Sequence, residues 1–169
     1  NVDGEYGIVS IHRFENLFNH KRLKKIIAII EKASKKFTLI IVLHPATQKK
    51  LQHKGLLQRL EKNPKINLIP RMGYTRFIKL AQHSRFMITD GGSNQEELSY
   101  LGIPTLIMRR ATERDEGTES TVTVANYDPE ILDKFLENLN SSRGINWDFP
   151  NQSPSRIIVN HITSRFLNE

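Results

Sequence analysis

The sequence predicts an α/β domain in which helices cover both faces of a parallel, Rossmann-like sheet. Five or six short apolar and β-branched runs alternate with stretches of helical periodicity, which is typical of repeated strand–helix–strand units. The run at residues 37–43 (FTLIIVL) is nearly continuously apolar, as expected of a strand covered on both faces. The length of 169 residues suits one ordinary domain.

The first half of the chain is predicted to contain three strands and two helices. The strands are expected at residues 6–11, 37–43 and 66–69, where apolar and β-branched side chains cluster. Apolar residues at helical spacing predict the first helix over residues 23–33. A more polar helix is expected over residues 47–62, with Gly55 as a candidate interruption.

The second half continues the alternation. Strands are expected at residues 86–89, 104–108 and 121–124, and helices at residues 74–83, 93–101 and 128–139. Asp128-Pro129 pairs a capping residue with the residue preferred in the first helical turn. A Gly-, Asn- and Pro-rich stretch at residues 141–154 leads to a terminal helix at about 155–167.

The amino-acid composition limits the kinds of site and partner that the chain can have. Without cysteine, the chain can form neither disulfides nor cysteine-ligated metal sites, and a reducing cytoplasm is the expected compartment. No apolar stretch approaches the ~20 residues of a membrane span, so no membrane partner is expected. The net charge of +7 suits an anionic partner. The basic residues are not interleaved with aromatic residues that could stack on bases, so a nucleic acid is the weaker candidate.

The strand-to-helix turn at residues 89–93 (TDGGS) is the most informative motif. In open α/β sheets, ligands bind beyond the carboxyl ends of the strands. Gly91 and Gly92 let backbone amides approach a ligand, and the following helix N-terminus attracts phosphate, so a diphosphate is expected here. Alternatively, Ser93 and Glu96 form an S-x-x-E capping box, which explains both residues without any ligand.

Further candidate binding residues lie in the predicted helix after this turn and in the loop after the first strand. Glu97 could accept hydrogen bonds from ribose hydroxyls, or could simply interact favourably with the helix dipole. His12 and Arg13 directly follow the first predicted strand, where a histidine can donate to a phosphate and stabilise a departing negative charge. The alternative is an ordinary surface histidine.

Three other residues are weaker candidates on their own. His44 ends the second predicted strand and is given a supporting role in nucleotide binding. Phe77 could stack on a flat base, although a single helical aromatic is more often part of a core. Arg114 lies in a loop of mixed charge at residues 109–117, which is either merely solvated or supplies the guanidinium fork that a diphosphate needs.

Taken together, four segments in this order resemble the C-terminal half of UDP-N-acetylglucosamine 2-epimerases: SIHRFEN, LIPRMGYTRF, TDGGSNQEELSYLGIPTLIMR and ATERDEG. The resemblance implies one half of a GT-B-like two-domain fold, with residues 1–169 as the C-terminal nucleotide-binding domain and the N-terminal domain absent. It implies UDP and UDP-N-acetylhexosamine as ligands, no cofactor or metal, and a homodimer for the full-length enzyme.

By the same resemblance, His12 helps UDP to leave, Phe77 lies at the uracil, and the turn at residues 91–93 holds the diphosphate. Glu97 would hold the ribose and Arg114 the phosphates. The implied reaction inverts carbon 2 of UDP-N-acetylglucosamine, or hydrolyses it, by eliminating UDP. The acid–base carboxylates would belong to the N-terminal domain.

The motif departs from the commoner family pattern at two positions. Glycine stands at Gly91 where serine is usual, and Asp115 replaces a usual proline. A side-chain contact to ligand at Gly91 is therefore impossible. Three alternatives remain open from sequence: the nucleotide-binding domain of a GT-B glycosyltransferase, a non-catalytic sugar-nucleotide-binding module, and a nucleic-acid binder.

Overall fold

The protein is built on a six-stranded sheet in which every neighbouring pair of strands is parallel. The computed structural model describes residues 5–139 and 153–166. The strands are β1 (Tyr6–Ser10), β2 (Thr38–Leu43), β3 (Ile66–Pro70), β4 (Phe86–Thr89), β5 (Thr105–Ile107) and β6 (Val122–Val124). They lie in the order β3-β2-β1-β4-β5-β6, which confirms the predicted parallel α/β sheet.

Eight helices connect or follow the strands in the described part of the chain. They are α1 (Phe14–Leu17), α2 (His20–Ser34), α3 (Pro45–His53), α4 (Leu56–Glu61), α5 (Tyr74–Gln82), α6 (Gly92–Tyr100), α7 (Pro129–Glu137) and α8 (Pro154–Phe166). The short α1 occupies a segment that was expected to be a loop. Most of the loop predicted at residues 141–154 lies outside the described residues.

Helices cover both faces of the sheet, as predicted. Ile8 and Val9 are adjacent in β1 and both are fully buried, yet they belong to separate apolar clusters. Successive strand residues point to opposite faces, so two clusters require a helical layer on each side. One cluster includes apolar residues of α2 and α7, and the other includes apolar residues of α5 and α6.

The strand order places a crevice between β1 and β4. The chain runs outward from β1 through β2 to β3, and then in the opposite direction from β4 through β5 to β6. Loops leaving the carboxyl ends of β1 and β4 therefore diverge to opposite faces, which opens the ligand site of such sheets at this switch point. His12 follows β1 and Asp90 follows β4.

Local signals set the helix ends. Asp128 caps α7, its side chain accepting a hydrogen bond from the Glu130 amide at 2.8 Å, which confirms the predicted Asp-Pro start. Gly55 adopts a left-handed φ of 66° between α3 and α4. The predicted interruption of the helix is therefore confirmed. It falls at Gly55 because glycine adopts this conformation without steric cost.

Gly55 and Gly73 give a matched test of whether the left-handed φ at residue 55 requires glycine. A Cβ would meet no atom within 4 Å at either Gly55 or Gly73, and Gly73 has an ordinary φ of −66°. We expect Gly55→Ala to lower the free energy of unfolding by about 1 kcal/mol, because its φ is left-handed. Gly73→Ala should change it much less, because alanine adopts this φ freely and its lower freedom in the unfolded chain offsets the preference of the α5 N-cap for glycine. Urea unfolding measures both; equal effects would contradict the conformational explanation.

Candidate functional site

The site is organised around the buried carboxylate of Asp90, at the carboxyl end of β4. Asp90 is 0% exposed. Its Oδ1 accepts a hydrogen bond from the His12 amide and its Oδ2 one from the Arg13 amide, each at 3.0 Å. The His12 Nδ1 lies 3.3 Å from the same Oδ1. One side chain of the β4–α6 turn therefore fixes the backbone of the loop that follows β1.

A second buried polar group completes this arrangement. The side-chain amide of Asn16 donates to Asp90 Oδ2 at 2.9 Å and to the Met108 carbonyl at 3.0 Å. Its Oδ1 accepts a hydrogen bond from the Tyr127 hydroxyl at 2.7 Å. Asn16 is 0% exposed, so its polar atoms are satisfied by protein groups, as burial requires. The loops after β1, β4, β5 and β6 thereby meet at one point.

The N-terminus of α6 is free of side-chain capping within the described residues. Gly91 is the N-cap residue, in an extended conformation, and no side chain accepts from the first-turn amides. Thr89 Oγ1 instead accepts from the Gly91 amide at 3.2 Å and from Asn94 Nδ2 at 2.9 Å. First-turn amides and the helix dipole are therefore available to an anion.

The predicted capping box at Ser93 and Glu96 is wrong. Ser93 lies inside α6, at its second position, because the helix begins at Gly92; the box would require Ser93 to precede the helix. Glu96 Oε2 accepts from Arg114 NH1 at 2.7 Å instead. Ser93 is exposed, so its hydroxyl is accessible to a ligand at this helix end.

Gly91 is required by the close approach of His12. A Cβ at position 91 would lie 2.9 Å from His12 Cε1, whereas a Cβ at Gly92 would make only ordinary contacts with Glu113 and Arg114. The imidazole therefore packs directly on the backbone of the turn.

The loop that carries Arg114 is fixed to α6 by Gln95, which is 0% exposed. Gln95 Nε2 donates to the carbonyls of Arg114 and Glu116, both at 3.1 Å, and its Oε1 accepts from the Thr112 hydroxyl at 2.6 Å. The backbone of this loop is thereby held against the first turns of α6, and the Arg114 side chain, 41% exposed, projects beside the helix N-terminus.

Two adjoining clefts open at the crevice. The first, of about 220 Å³, is lined by six predicted site residues together with Asn94 and Glu113: His12, Arg13, Gly91, Gly92, Ser93 and Arg114. The second, of about 300 Å³, is lined by the predicted residues His12, His44 and Phe77, and also by Asn94, Arg71 and Tyr74. His12 and Asn94 border both clefts.

The residues of the second cleft have structural contacts as well. His44 caps α3, its Nδ1 accepting from the Ala46 amide at 3.3 Å, and its ring centroid lies 6.2 Å from that of His12. Phe77 is partly buried against the apolar cluster under α5. Phe77 therefore packs on the core and also lines the cleft, and stacking on a base stays a prediction.

Charges in the first cleft are partly paired. Glu113 Oε1 lies 3.2 Å from Arg13 NH2 and its Oε2 lies 2.6 Å from Arg109 NH1. A hydrogen bond from its own backbone and then the Arg109 guanidinium lower the pKa of Glu113, so it is ionised at neutral pH. With Arg13, Arg114 and the α6 amides facing the same space, the cleft suits an anionic oxygen cluster.

Glu97 is the one predicted site residue that lines neither described cleft. It lies one turn along α6 from Ser93 and is partly buried. Burial, and then the neighbouring Glu96 carboxylate, raise the pKa of Glu97.

Sequence reasoning missed the residues that hold the site together. The sequence pattern marks Asp90 only as part of its turn, and it carries no signal for Asn16 or Gln95. Each acts through partners far away in the chain, such as Tyr127 for Asn16 and Glu116 for Gln95. The sequence signal that could have identified Asp90 is a carboxylate that directly follows a predicted strand and that the sheet places opposite the loop after β1.

An open parallel sheet, with an uncapped helix N-terminus and arginines at its switch point, defines the class of Rossmann-like α/β domains that accept an anion at this crevice. Within that class, the chain belongs to the UDP-N-acetylglucosamine 2-epimerase family, whose model matches residues 1–158. The family predicted from sequence is thereby confirmed, and the glycosyltransferase alternative is set aside. In the described part of the chain, no helix is long and apolar enough to cross a membrane.

Relatives of known name cover most of this chain. The UDP-N-acetylglucosamine 2-epimerase of Methanococcus maripaludis is 37% identical over 160 residues, which are 92% of this chain and 44% of the relative. That of Methanocaldococcus jannaschii is 34% identical over 155 residues, 88% of this chain and 41% of the relative.

Solved structures give the same result. The UDP-GlcNAc 2-epimerase of Methanocaldococcus jannaschii matches with a TM-score of 0.85 at 32% identity, over 97% of this chain and 47% of that one. Its complex with UDP-GlcNAc and UDP matches with a TM-score of 0.83 at 31% identity, over 95% and 45%. The chain therefore spans less than half the length of these relatives.

The raised pKa of Glu97 gives a testable pH dependence. The folded protein binds a proton at Glu97 more tightly than the unfolded chain, so stability falls as the pH rises from the unfolded pKa of about 4.3 through the folded one. Glu97→Gln removes this penalty. We expect its Tm to exceed that of the unchanged protein by about 1–2 °C at pH 7 and to match it below about pH 4.

The matched control is Glu119→Gln, which removes the same charge from an exposed loop position. Its difference in Tm should stay small and should not follow this pH window. A Tm of Glu97→Gln at or below that of the unchanged protein at pH 7 would contradict the burial effect.

Proposed function

We propose that this chain is the C-terminal, UDP-sugar-binding domain of an enzyme that inverts carbon 2 of UDP-N-acetylglucosamine. The observation that carries the proposal is the continuous surface formed by the two clefts. It runs from Arg114, across the N-terminus of α6 and His12, to Phe77. The part that suits an anion adjoins the part that contains the aromatic Phe77, as a nucleoside diphosphate requires.

The diphosphate is proposed to occupy the first cleft. Amides of the first turn of α6 and the Arg114 guanidinium face this space, and Arg13 adds a second cation. Backbone amides at a helix start bind phosphate oxygens without any side chain of fixed charge. The exposed Ser93 hydroxyl is placed to add one donor.

The nucleoside is proposed to occupy the second cleft. Phe77 offers an aromatic face for the uracil, and His44 borders the same space. Glu97, on the α6 turn that follows Ser93 and Asn94, is proposed to accept hydrogen bonds from the ribose hydroxyls. Its raised pKa results first from burial, and hydroxyl donors from a ligand would favour the charged carboxylate.

His12 is proposed to act on the leaving group. In the elimination step a base removes the proton on carbon 2, a double bond forms between carbons 1 and 2, and the bond from carbon 1 to the phosphate oxygen breaks. A proton or hydrogen bond from His12 to that oxygen stabilises the departing UDP. The base is proposed to lie in the N-terminal domain of the whole enzyme. We further propose that the whole enzyme is a homodimer and is located in the cytoplasm.

This division of roles predicts binding without turnover. We expect the purified 169-residue chain to bind UDP measurably by calorimetry and to bind uridine far more weakly, because uridine has no phosphates for the first cleft. We expect no epimerisation of UDP-N-acetylglucosamine by NMR, because the base lies elsewhere. Detectable inversion at carbon 2 by this chain alone would refute the assignment of the base to another domain.

The role of Arg114 has a separate test. Truncating a charged hydrogen-bond partner of a phosphate costs about 1.5–3 kcal/mol, so Arg114→Ala should weaken UDP binding by roughly 10- to 150-fold. Arg110→Ala removes the same charge from a residue that borders a different cleft and should change the affinity little. Equal losses in the two variants would indicate only a general effect of charge.

A further inference from the structure

The position of the His12 ring is set by groups that the proposed reaction does not itself use. Its Nδ1 lies 3.3 Å from Asp90 Oδ1, and its Cε1 packs where a Cβ of residue 91 would be. Because Asp90 is ionisable and buried, and its Oδ1 lies within 3.3 Å of Nδ1, the neutral ring is stabilised most when it carries its proton on Nδ1. Nε2 is then the unprotonated nitrogen of a ring that borders both clefts.

The orientation of the Asp90 carboxylate is fixed by hydrogen bonds to its other oxygen. Oδ2 is engaged by the Arg13 amide at 3.0 Å and by Asn16 Nδ2 at 2.9 Å. Asn16 is in turn oriented by the Tyr127 hydroxyl, which donates to its Oδ1 at 2.7 Å. That bond leaves the amide nitrogen, not the oxygen, facing Asp90.

Tyr127 itself is held in an uncommon conformation. Asn126 and Tyr127 both have positive φ, 47° and 58°, a backbone state that costs energy for residues other than glycine. The ring is 6% exposed, and burial raises the pKa of its hydroxyl, so it remains a donor throughout the neutral range. The loop after β6 thus reaches His12 through two intervening side chains.

We propose that Asp90 is a positioning residue for His12, and that Asn16 and Tyr127 hold its carboxylate so that His12 presents Nε2 to the substrate. The role in reaction rests on the proposed function, whereas the ring geometry does not. When His12 gives its Nε2 proton to the departing phosphate oxygen, the Nδ1–H form is left. Only this form can take the proton back at Nε2 when the reaction reverses.

The neutral tautomer of His12 is the direct readout. Long-range ¹H–¹⁵N spectra of the labelled chain, recorded well above the usual histidine pKa of about 6.5, show which ring nitrogen carries the proton. His12→Gln identifies the His12 signals. We expect His12 to be mainly Nδ1–H. His44 provides an internal contrast, because its Nδ1 accepts from the Ala46 amide and its proton must lie on Nε2.

Three variants and one control test the origin of the tautomer. Asp90→Asn should shift His12 to mainly Nε2–H, and Tyr127→Phe should cause a smaller shift in the same direction. Tyr6→Phe removes another largely buried tyrosine hydroxyl, which donates to the Leu80 carbonyl away from both clefts; it is the control and should cause none. Because Asp90→Asn could fail to fold, Gly91→Ala supplies an independent test: it keeps the carboxylate but pushes the ring away, and should also reduce the Nδ1–H fraction.

The outcomes separate the two proposals. A mainly Nε2–H His12 in the unchanged chain would overturn the positioning role, and so would an unchanged Nδ1–H fraction in folded Gly91→Ala or Asp90→Asn. An effect of Asp90→Asn without any effect of Tyr127→Phe would overturn the part assigned to Tyr127. UDP, but not uridine, should shift the His12 Nε2 signal; failure of this shift alone would count against the proposed function and leave the ring geometry standing.

Discussion

The site depends on one constraint: a buried carboxylate at the switch point must have all its hydrogen-bond donors supplied by the protein. A buried ion without partners is strongly disfavoured, so Asp90 can lie between β1 and β4 only if both loops bring donors to it. The amides of His12 and Arg13 and the side chain of Asn16 do so. These hydrogen bonds tie the loop after β1 to the turn after β4, so the carboxylate that the sheet buries also holds the two sides of the site together.

Across the cleft, the residue that fixes the backbone is again buried and hydrogen-bonded. Gln95 lies beneath the loop of Arg114 and donates to two of its carbonyls. Arg114, which would meet a ligand, is partly exposed and is held by an ion pair with Glu96. A partly exposed ion pair contributes little to stability, so Glu96 can release Arg114 to an anion at small cost. The framework is rigid while its cations remain available.

Features carried by local sequence could be predicted, and long-range ones could not. The apolar runs located all six strands, Gly55 marked a helix break, and Asp128 marked a helix start. The capping box failed because S-x-x-E is a local pattern, whereas Glu96 pairs with Arg114, eighteen positions away. The roles of Asp90 and Asn16 appear only once four loops converge, and periodicity contains no information on which side chains meet there.

The paired state of the carboxylates bears on the proposal that the base lies in another domain. A base that removes a carbon-bound proton must be within reach of it and free to accept it. In the described part of the chain, Asp90 is saturated by donors, Glu113 lies between two arginines, and Glu96 is bound to Arg114. Glu97 has a raised pKa but borders neither cleft. This pairing is consistent with the proposed division of roles, in which this domain holds the anion and the base belongs to the other domain.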